Sequence, residues 1–342
     1  MGVRITGWGI AVPDRIVTND ELSLTLDTSD QWITERTGIK ERRIGGSTST
    51  LGTLAGERAL ADAGLVTGDI DFLLLATTTP DRICPATAPM IANAMGLSCP
   101  AMDVNAACSG FMYAMRTAQG LLETGNKKIL VIGAEHLSRW VDWTDRNMAV
   151  LMADGAGAAV LEYDASGTDL ISFSLGTDGS AADLLTCEHG GFLQMDGKEV
   201  FRRAVRVVVS SAEEALKEAG ITADDLALVI PHQANIRIIQ AAVQRLGIEM
   251  ERAVVVLDRY GNTSSASIPL AFADARDSGR IKAGEYALLT GFGAGMTWAS
   301  AIVKWSRSAG RHSSFLPPDG PVATADSSNW LPSGNTVRVL ST

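Results

Sequence analysis

The strongest constraint on the fold is that the chain is written twice. "ERALADAGL" (57–65) returns as "EEALKEAGI" (213–221). Each copy leads into an acidic turn and an apolar run, "TGDIDFLLLATTTP" (67–80) and "TADDLALVIPHQAN" (222–235). The offset is 156 residues and then 155, and it holds between Asp103 and Asp258. A weaker echo pairs "DGAGAAVLE" (154–162) with "GFGAGMTWASAIV" (291–303), 138 residues on. Echoes in one order predict a duplicated unit, with an N-terminal half over 1–165 and a C-terminal half over 166–305.

Within each half, helix and strand patterns alternate. Apolar residues recur at helical spacing around 52–63, 86–96, 109–124, 198–219, 235–246 and 265–278. "FLLLAT", "KILVIGA", "LALVI" and "YALLTGF" are short continuous apolar runs, as expected of strands buried on both faces. The alternation predicts an α/β fold of largely parallel sheets covered by helices. From about Ser306 the chain is rich in Ser, Pro and Gly and has no apolar period. Residues 306–342 are therefore predicted to form a loosely ordered tail, or else to wrap over the body through Phe315, Trp330 and Leu331.

Charge and cysteine usage narrow the function. A net charge of −10 argues against a nucleic-acid partner, which needs a basic face. No run of 18 apolar residues is present to span a membrane. Cys84, Cys99, Cys108 and Cys187 form no CxxC pair and no zinc-like spacing with the four histidines. They read as reduced thiols of a cytoplasmic protein, with no metal site.

One cysteine stands apart. Cys108 in "NAACSGF" lies where a helix-like run begins, and amides at a helix start, like a nearby imidazole, favour a thiolate. At the 155-residue offset Cys108 falls on Thr263, one residue after Asn262 in "RYGNTSSASIPLA". His232 in "IPHQAN" falls on Thr77, at the end of the equivalent strand. Ligands of open parallel sheets bind beyond the carboxyl ends of strands. If the halves pack about a pseudo-twofold axis, Cys108, His232 and Asn262 converge. Taken singly, each has a plain explanation: a small buried hydrophobe or a strand-end histidine. The other three cysteines, His136, His189 and His312 keep that explanation.

In this order, "NAACSGF", "PHQAN", "GNTSSASIP" and "GFGAGMTW" resemble the β-ketoacyl-acyl carrier protein synthase III family of the thiolase superfamily. "TSDQWITERTGIKERRI" (28–44) and "DGAGAAVL" (154–161) extend the likeness to about residues 1 to 305. The resemblance implies a five-layered αβαβα fold and a homodimer. It implies that Cys108 takes an acyl group from acyl-CoA, and that the acyl group condenses with malonyl-acyl carrier protein, in fatty acid or polyketide biosynthesis. His232 and Asn262 would stabilise the enolate, and the backbone amides of Cys108 and Ala294 would form the oxyanion hole. Trp32, Arg36, Thr28 and Arg146 would bind coenzyme A as substrate, with no cofactor required. Arg237 would dock the carrier protein, with Arg202 in a second basic cluster that also holds Lys198, Arg203 and Arg206.

Two departures from the family pattern stand out. The loop at 186–191 is short, and Cys84 occupies an acyl-pocket position that is often a bulky aromatic, which leaves room for a longer or branched primer. A thiolase-fold acyltransferase that moves the acyl group to an oxygen or nitrogen nucleophile is the alternative.

Overall fold

A computed structural model describes residues 2–307; the predicted tail beyond Arg307 lies outside them. Five strands, β1 (Gly2–Ala11), β2 (Phe72–Ala76), β3 (Ala101–Val104), β4 (Lys128–His136) and β5 (Asp154–Asp164), form one sheet in the order β1-β5-β4-β2-β3. A second sheet, from β6 (Leu170–Thr177), β7 (Leu226–Pro231), β8 (Tyr286–Gly293) and β9 (Thr297–Lys304), runs β7-β8-β9-β6. An isolated parallel bridge from Val229 to Ala253 continues it where β3 stands in the first.

The sheets are mixed, which corrects the expectation of largely parallel ones. β2 runs parallel to β3 and β4, while β5 is antiparallel to both β4 and β1. In the second sheet β7 and β8 are parallel, and β9 is antiparallel to β8 and β6. A strand buried on both faces reads as the same apolar run whichever way its neighbour points, so direction is not legible from hydropathy.

Among the described residues, seven helices of eight or more residues pack around the sheets: α1 (Asp30–Thr37), α2 (Thr48–Ala63), α3 (Thr87–Met95), α4 (Gly110–Glu123), α5 (Gly197–Ala219), α6 (Ile236–Arg245) and α7 (Ser267–Asp277). The strand side chains show how the layers stack. Leu74, Val131, Ile230 and Leu289 face a shared core with Phe111 and Met115 of α4 and Phe272 of α7. Leu73, Leu75, Leu130 and Ile132 face outward onto α2 and α3. Val229 and Leu288 face Ala212 of α5 and Ile239 of α6. The result is the αβαβα sandwich of a thiolase fold, with α4 and α7 as its central layer. Trp8 anchors that layer: its ring stacks on Phe272 at 4.3 Å and its indole N–H donates to the Pro269 carbonyl at 2.9 Å.

The strand pairings also fix how the halves correspond. Ala76 pairs with Gly133, and Pro231 pairs with Thr290. Thr77 therefore answers His232, and Glu135 answers Phe292. The two turns that follow are more telling. Ala107 has φ 48° and Ser264 has φ 49°, and these are the two non-glycine residues described with positive φ. Each leads through a 3-10 turn into a central helix, α4 or α7. Cys108 thus answers Ser265 and not Thr263, and Asn262 answers Asn105. Two extra residues precede the second turn, so a constant offset drifts there. The third echo is corrected too. Gly133 pairs with Gly157 and Thr290 with Ser300, so β5 answers β9, five residues beyond the sequence match.

The start of the predicted tail is also adjusted. The Ser306 hydroxyl donates to Asp169 at 3.0 Å, and Arg307 donates to the Asp62 carboxylate at 2.5 Å, so both belong to the body.

Candidate active site

Left-handed backbone at a residue with a side chain costs on the order of 1 kcal/mol, so such turns need support. Asparagine supplies it. The Ala107 amide donates to Asn105 Oδ1 at 3.1 Å, and the Ser264 amide donates to Asn262 Oδ1 at 2.9 Å. In the second turn this bond leaves the Asn262 NH₂ as a donor with no other bond recorded among the described residues. Cys108 lies in the 3-10 turn Ala107–Ser109, two residues before α4 begins at Gly110, and so ahead of the helix start the sequence suggested.

The turn of the first half packs against the strand end of the second. A Cβ on Gly293 would fall 2.5 Å from the Cys108 amide nitrogen, so only glycine admits this approach. A Cβ on Gly291 would lie 3.3 Å from His232 Cβ and 3.9 Å from the Cys108 carbonyl oxygen. Cys108 and His232 therefore flank one point of β8. Asn262 reaches the same seam through Ser264, whose hydroxyl lies beside the Cys108 thiol and favours its ionisation. Ala294 directly follows Gly293, so its amide lies next to this contact.

The electrostatics differ from the sequence expectation. Burial pushes the Cys108 thiol up to about 12; the Ser264 hydroxyl draws it down, the Glu135 carboxylate adds to the rise and the residue's own amide offsets part of it. Burial also lowers His232 to about 3, so the imidazole is neutral at pH 7. The resting pair is a thiol beside a neutral ring, not a thiolate–imidazolium pair. Desolvation penalises both charged forms and outweighs the polar contacts at the turn. His232 is held on three sides. Its amide donates to the Thr290 carbonyl at 2.8 Å, its Nδ1 lies 2.6 Å from Ser267 Oγ, and its ring meets Phe292 edge-on at 5.5 Å.

Glu135, Ser264 and Ser267 carried no sequence signal. Glu135 ends an apolar strand, and the two serines sit in a run of small residues whose spacing shows nothing. Glu135 is fully buried. It accepts from the hydroxyls of Thr77, Thr78, Thr79 and Ser265 at 3.2, 3.0, 2.7 and 2.9 Å. The amides of Thr78, Thr79 and Ser265 also donate to it.

A second cluster lies at α1. The guanidinium groups of Arg36 and Arg146 stand 4.5 and 4.6 Å from the Trp32 ring centroid. Arg146 donates to the carbonyl of Asp27 at 2.6 Å, next to Thr28, whose buried hydroxyl has no hydrogen-bond partner. All four proposed coenzyme A residues thus come together. The basic residues are less uniform. Arg202 pairs with Glu199 at 2.7 Å but stays largely exposed, and the half-buried Arg203 pairs with Asp178 at 2.9 Å. Lys198, Arg206 and Arg237 are exposed and form none of the ion pairs found among the described residues.

An apolar cavity lined by Leu184, Leu185, Val200, Phe292 and Met296 abuts Gly293 and Ala294. The short 186–191 loop closes beside it, where Leu185–Thr186 pairs with Gln194–Met195. Cys84 stands exposed on the loop after Thr79 and does not line this cavity. Among the described residues no cluster of three or more His, Cys, Asp or Glu side chains is placed to hold a metal ion, and no helix is long and apolar enough to cross a membrane.

A half-buried cysteine on a strained turn, faced across a duplicated sandwich by a neutral histidine and an asparagine, defines a thiolase-fold acyltransferase. The family model described as 3-Oxoacyl-[acyl-carrier-protein (ACP)] synthase III matches residues 102–179, and its C-terminal counterpart matches 216–305. The chain is 46% identical over 322 residues to the Beta-ketoacyl-[acyl-carrier-protein] synthase III of Roseiflexus sp. (strain RS-1), covering 88% of this chain and 98% of that one. It is 45% identical over 312 residues to Beta-ketoacyl-[acyl-carrier-protein] synthase III 1 of Bacillus anthracis, covering 90% and 100%. The crystal structure of 3-oxoacyl-[acyl-carrier-protein] synthase III from Aquifex aeolicus VF5 superposes with a TM-score of 0.87 at 41% identity, over 89% of this chain and all of that one. The priming beta-ketosynthase from the R1128 polyketide biosynthetic pathway gives 0.85 at 37%, over 89% and 96%. The chain belongs to the 3-oxoacyl-[acyl-carrier-protein] synthase III family.

Proposed function

We propose that the chain condenses an acyl-CoA primer with malonyl-acyl carrier protein, with loss of CO₂, through an acyl-cysteine at Cys108, in fatty acid or polyketide synthesis. The observation that carries this reading is the seam at β8, where Cys108 and His232 flank Gly291 and Ser264, its amide held by Asn262, lies beside the thiol.

Coenzyme A lies with its adenine against Trp32, between Arg36 and Arg146, and takes the free hydroxyl of Thr28. Its thioester end reaches toward the seam beside Gly293 and Ala294. The Cys108 sulfur attacks the thioester carbonyl, and the amides of Cys108 and Ala294 receive the oxyanion. Coenzyme A leaves with the thiol proton. The malonyl carrier then docks against the exposed Arg237, with the exposed Arg206 of α5 adding positive charge, a pairing of opposite charges. Loss of CO₂ leaves an electron pair on the malonyl α-carbon as an enolate, whose oxygen accepts hydrogen bonds from His232 and Asn262. That carbon attacks the acyl carbonyl, the carbon–carbon bond forms, and the bond to Cys108 breaks with its electron pair returning to sulfur, which takes up a proton from water to regain the resting thiol.

All charge that develops is met by amides and side chains of the chain, so this scheme calls on no cofactor or metal. The enzyme works as a cytoplasmic homodimer. Two features support the dimer: β3 is an edge strand with Met102 partly exposed, and Ile83, 88% exposed, projects from the Cys84 loop. Cys84 then serves the partner's acyl pocket and leaves room there for a longer or branched primer.

Intact-mass measurement after exposure to a panel of acyl-CoAs should find one acyl group on Cys108, and addition of malonyl carrier should release CO₂. Acylation without any CO₂ would replace condensation with acyl transfer to an oxygen or nitrogen nucleophile.

A further inference from the structure

We infer that Ser267 is a positioning residue that locks His232 in the Nε2–H tautomer, so that His232 is a fixed hydrogen-bond donor and not the base that ionises Cys108. The inference comes from counting protons in a closed space. Ser267 and His232 are 1% and 4% exposed. Ser267 Oγ has two partners among the described residues: His232 Nδ1 at 2.6 Å and the Gln233 amide at 3.4 Å. The Gln233 amide can only donate. A hydroxyl carries one proton, so two arrangements exist. If Nδ1 also donated, the hydroxyl proton would have no acceptor, and burying it unpaired costs about 1–3 kcal/mol. If the hydroxyl donates to Nδ1, every bond is made, and the single proton of the neutral ring lies on Nε2.

The surroundings hold this arrangement rigid. The Gln233 side chain donates to the Pro231 and Val254 carbonyls at 2.7 and 3.0 Å and accepts from the amides of Val256 and Leu257 at 2.9 and 3.2 Å. Ser267 opens α7. Its counterpart in the first half is Gly110, which has no side chain, so the device belongs to one half alone. Burial, which keeps the ring neutral, removes the remaining alternative of a doubly protonated imidazole.

The tautomer can be read without turnover, although its role rests on the condensation reading. The full chain labelled with ¹⁵N-histidine gives long-range proton–nitrogen correlations, and a His232→Gln sample identifies the His232 signals among the four histidines. Expected at pH 7 is a protonated Nε2 with an unprotonated, hydrogen-bonded Nδ1. A protonated Nδ1 overturns the inference. Ser267→Ala should give a mixture of tautomers and slow CO₂ release by at least about tenfold, by analogy with other orienting partners, with a smaller effect on acylation of Cys108. Ser267→Thr, which keeps the hydroxyl, should restore both. An unmixed Nε2–H signal in Ser267→Ala would show that something else sets the tautomer. If Ser267→Ala does not fold, the wild-type spectrum still decides. Failure of the wild type to release CO₂ would remove the condensation reading and leave the tautomer assignment standing.

Discussion

Cys108, His232 and Phe292 have Ser265, Thr77 and Glu135 as their counterparts across the two halves, and the chemistry lies in how those sets differ. Both copies keep the asparagine, the left-handed residue after it and the 3-10 turn into a central helix. The turn is thus a property of the duplicated fold. In the mirror position a carboxylate fills the space and satisfies the hydroxyls of Thr77 and Ser265. In the active copy a phenyl ring stands there instead, and the donors of His232 Nε2 and Asn262 Nδ2 have no bond recorded among the described residues. The mirror copy fills the space beside its strand end with a hydrogen-bonded carboxylate, and the active copy leaves the His232 donor there available for charge that appears during reaction.

The largest expected contrast is between the two turn residues. Cys108→Ala removes the nucleophile and should abolish covalent acylation, read as the loss of the acyl mass increment. Ser265→Ala removes a buried hydroxyl that lies 2.9 Å from both the Ala76 carbonyl oxygen and the Glu135 carboxylate and donates its one proton between them. It should lower stability by about 1–3 kcal/mol in denaturant unfolding and leave the acyl adduct in place. An adduct on Cys108→Ala, or its loss in Ser265→Ala, would break the contrast.

The strand-end residues come next. His232→Ala removes a donor aimed at the enolate and should slow CO₂ release by about 10²–10³, with acyl-Cys108 still forming. Thr77→Val keeps the shape but loses the hydroxyl bond to Glu135, and should change CO₂ release far less than stability. Equal kinetic losses in the two variants would mean that both copies act in the reaction.

How much of this was legible depends on whether a feature is local. The apolar runs of β2, β4, β7 and β8 and the periodic helices stand out because each element repeats one pattern over its own length. Cys108, His232 and Asn262 stand out because each sits in a short distinctive string. What was hidden depends on neighbours far away in the chain. The antiparallel directions of β5 and β9, and the two-residue drift between the turns, come from pairing that apolar composition does not record. The raised thiol and the lowered imidazole come from desolvation, which many segments produce together. Glu135 reads as a polar strand end, and only the packing of Thr77–Thr79 and Ser265 around it makes it a buried anion.

The smallest effect tests whether the mirror copy still acts on the active one. Glu135 contributes to the rise of the Cys108 pKa to about 12, after burial. A thiol with so high a pKa has a thiolate fraction that grows about tenfold per pH unit up to that value. Alkylation of Cys108 by iodoacetamide, followed by peptide mass because Cys84 is exposed and Cys99 and Cys187 are partly so, should therefore climb without a plateau from pH 7 to 9. A plateau near neutrality would instead indicate a thiolate–imidazolium pair. Glu135→Gln removes the anion and should speed alkylation at every pH in that range with the slope unchanged. It also leaves fewer acceptors for the amides of Thr78, Thr79 and Ser265, so stability should fall, though by less than in Glu135→Ala, which leaves none. Both readouts are needed. A stability loss with no change in the alkylation profile would make Glu135 a structural plug alone. A faster profile would show that the mirror copy still sets the charge at the active one.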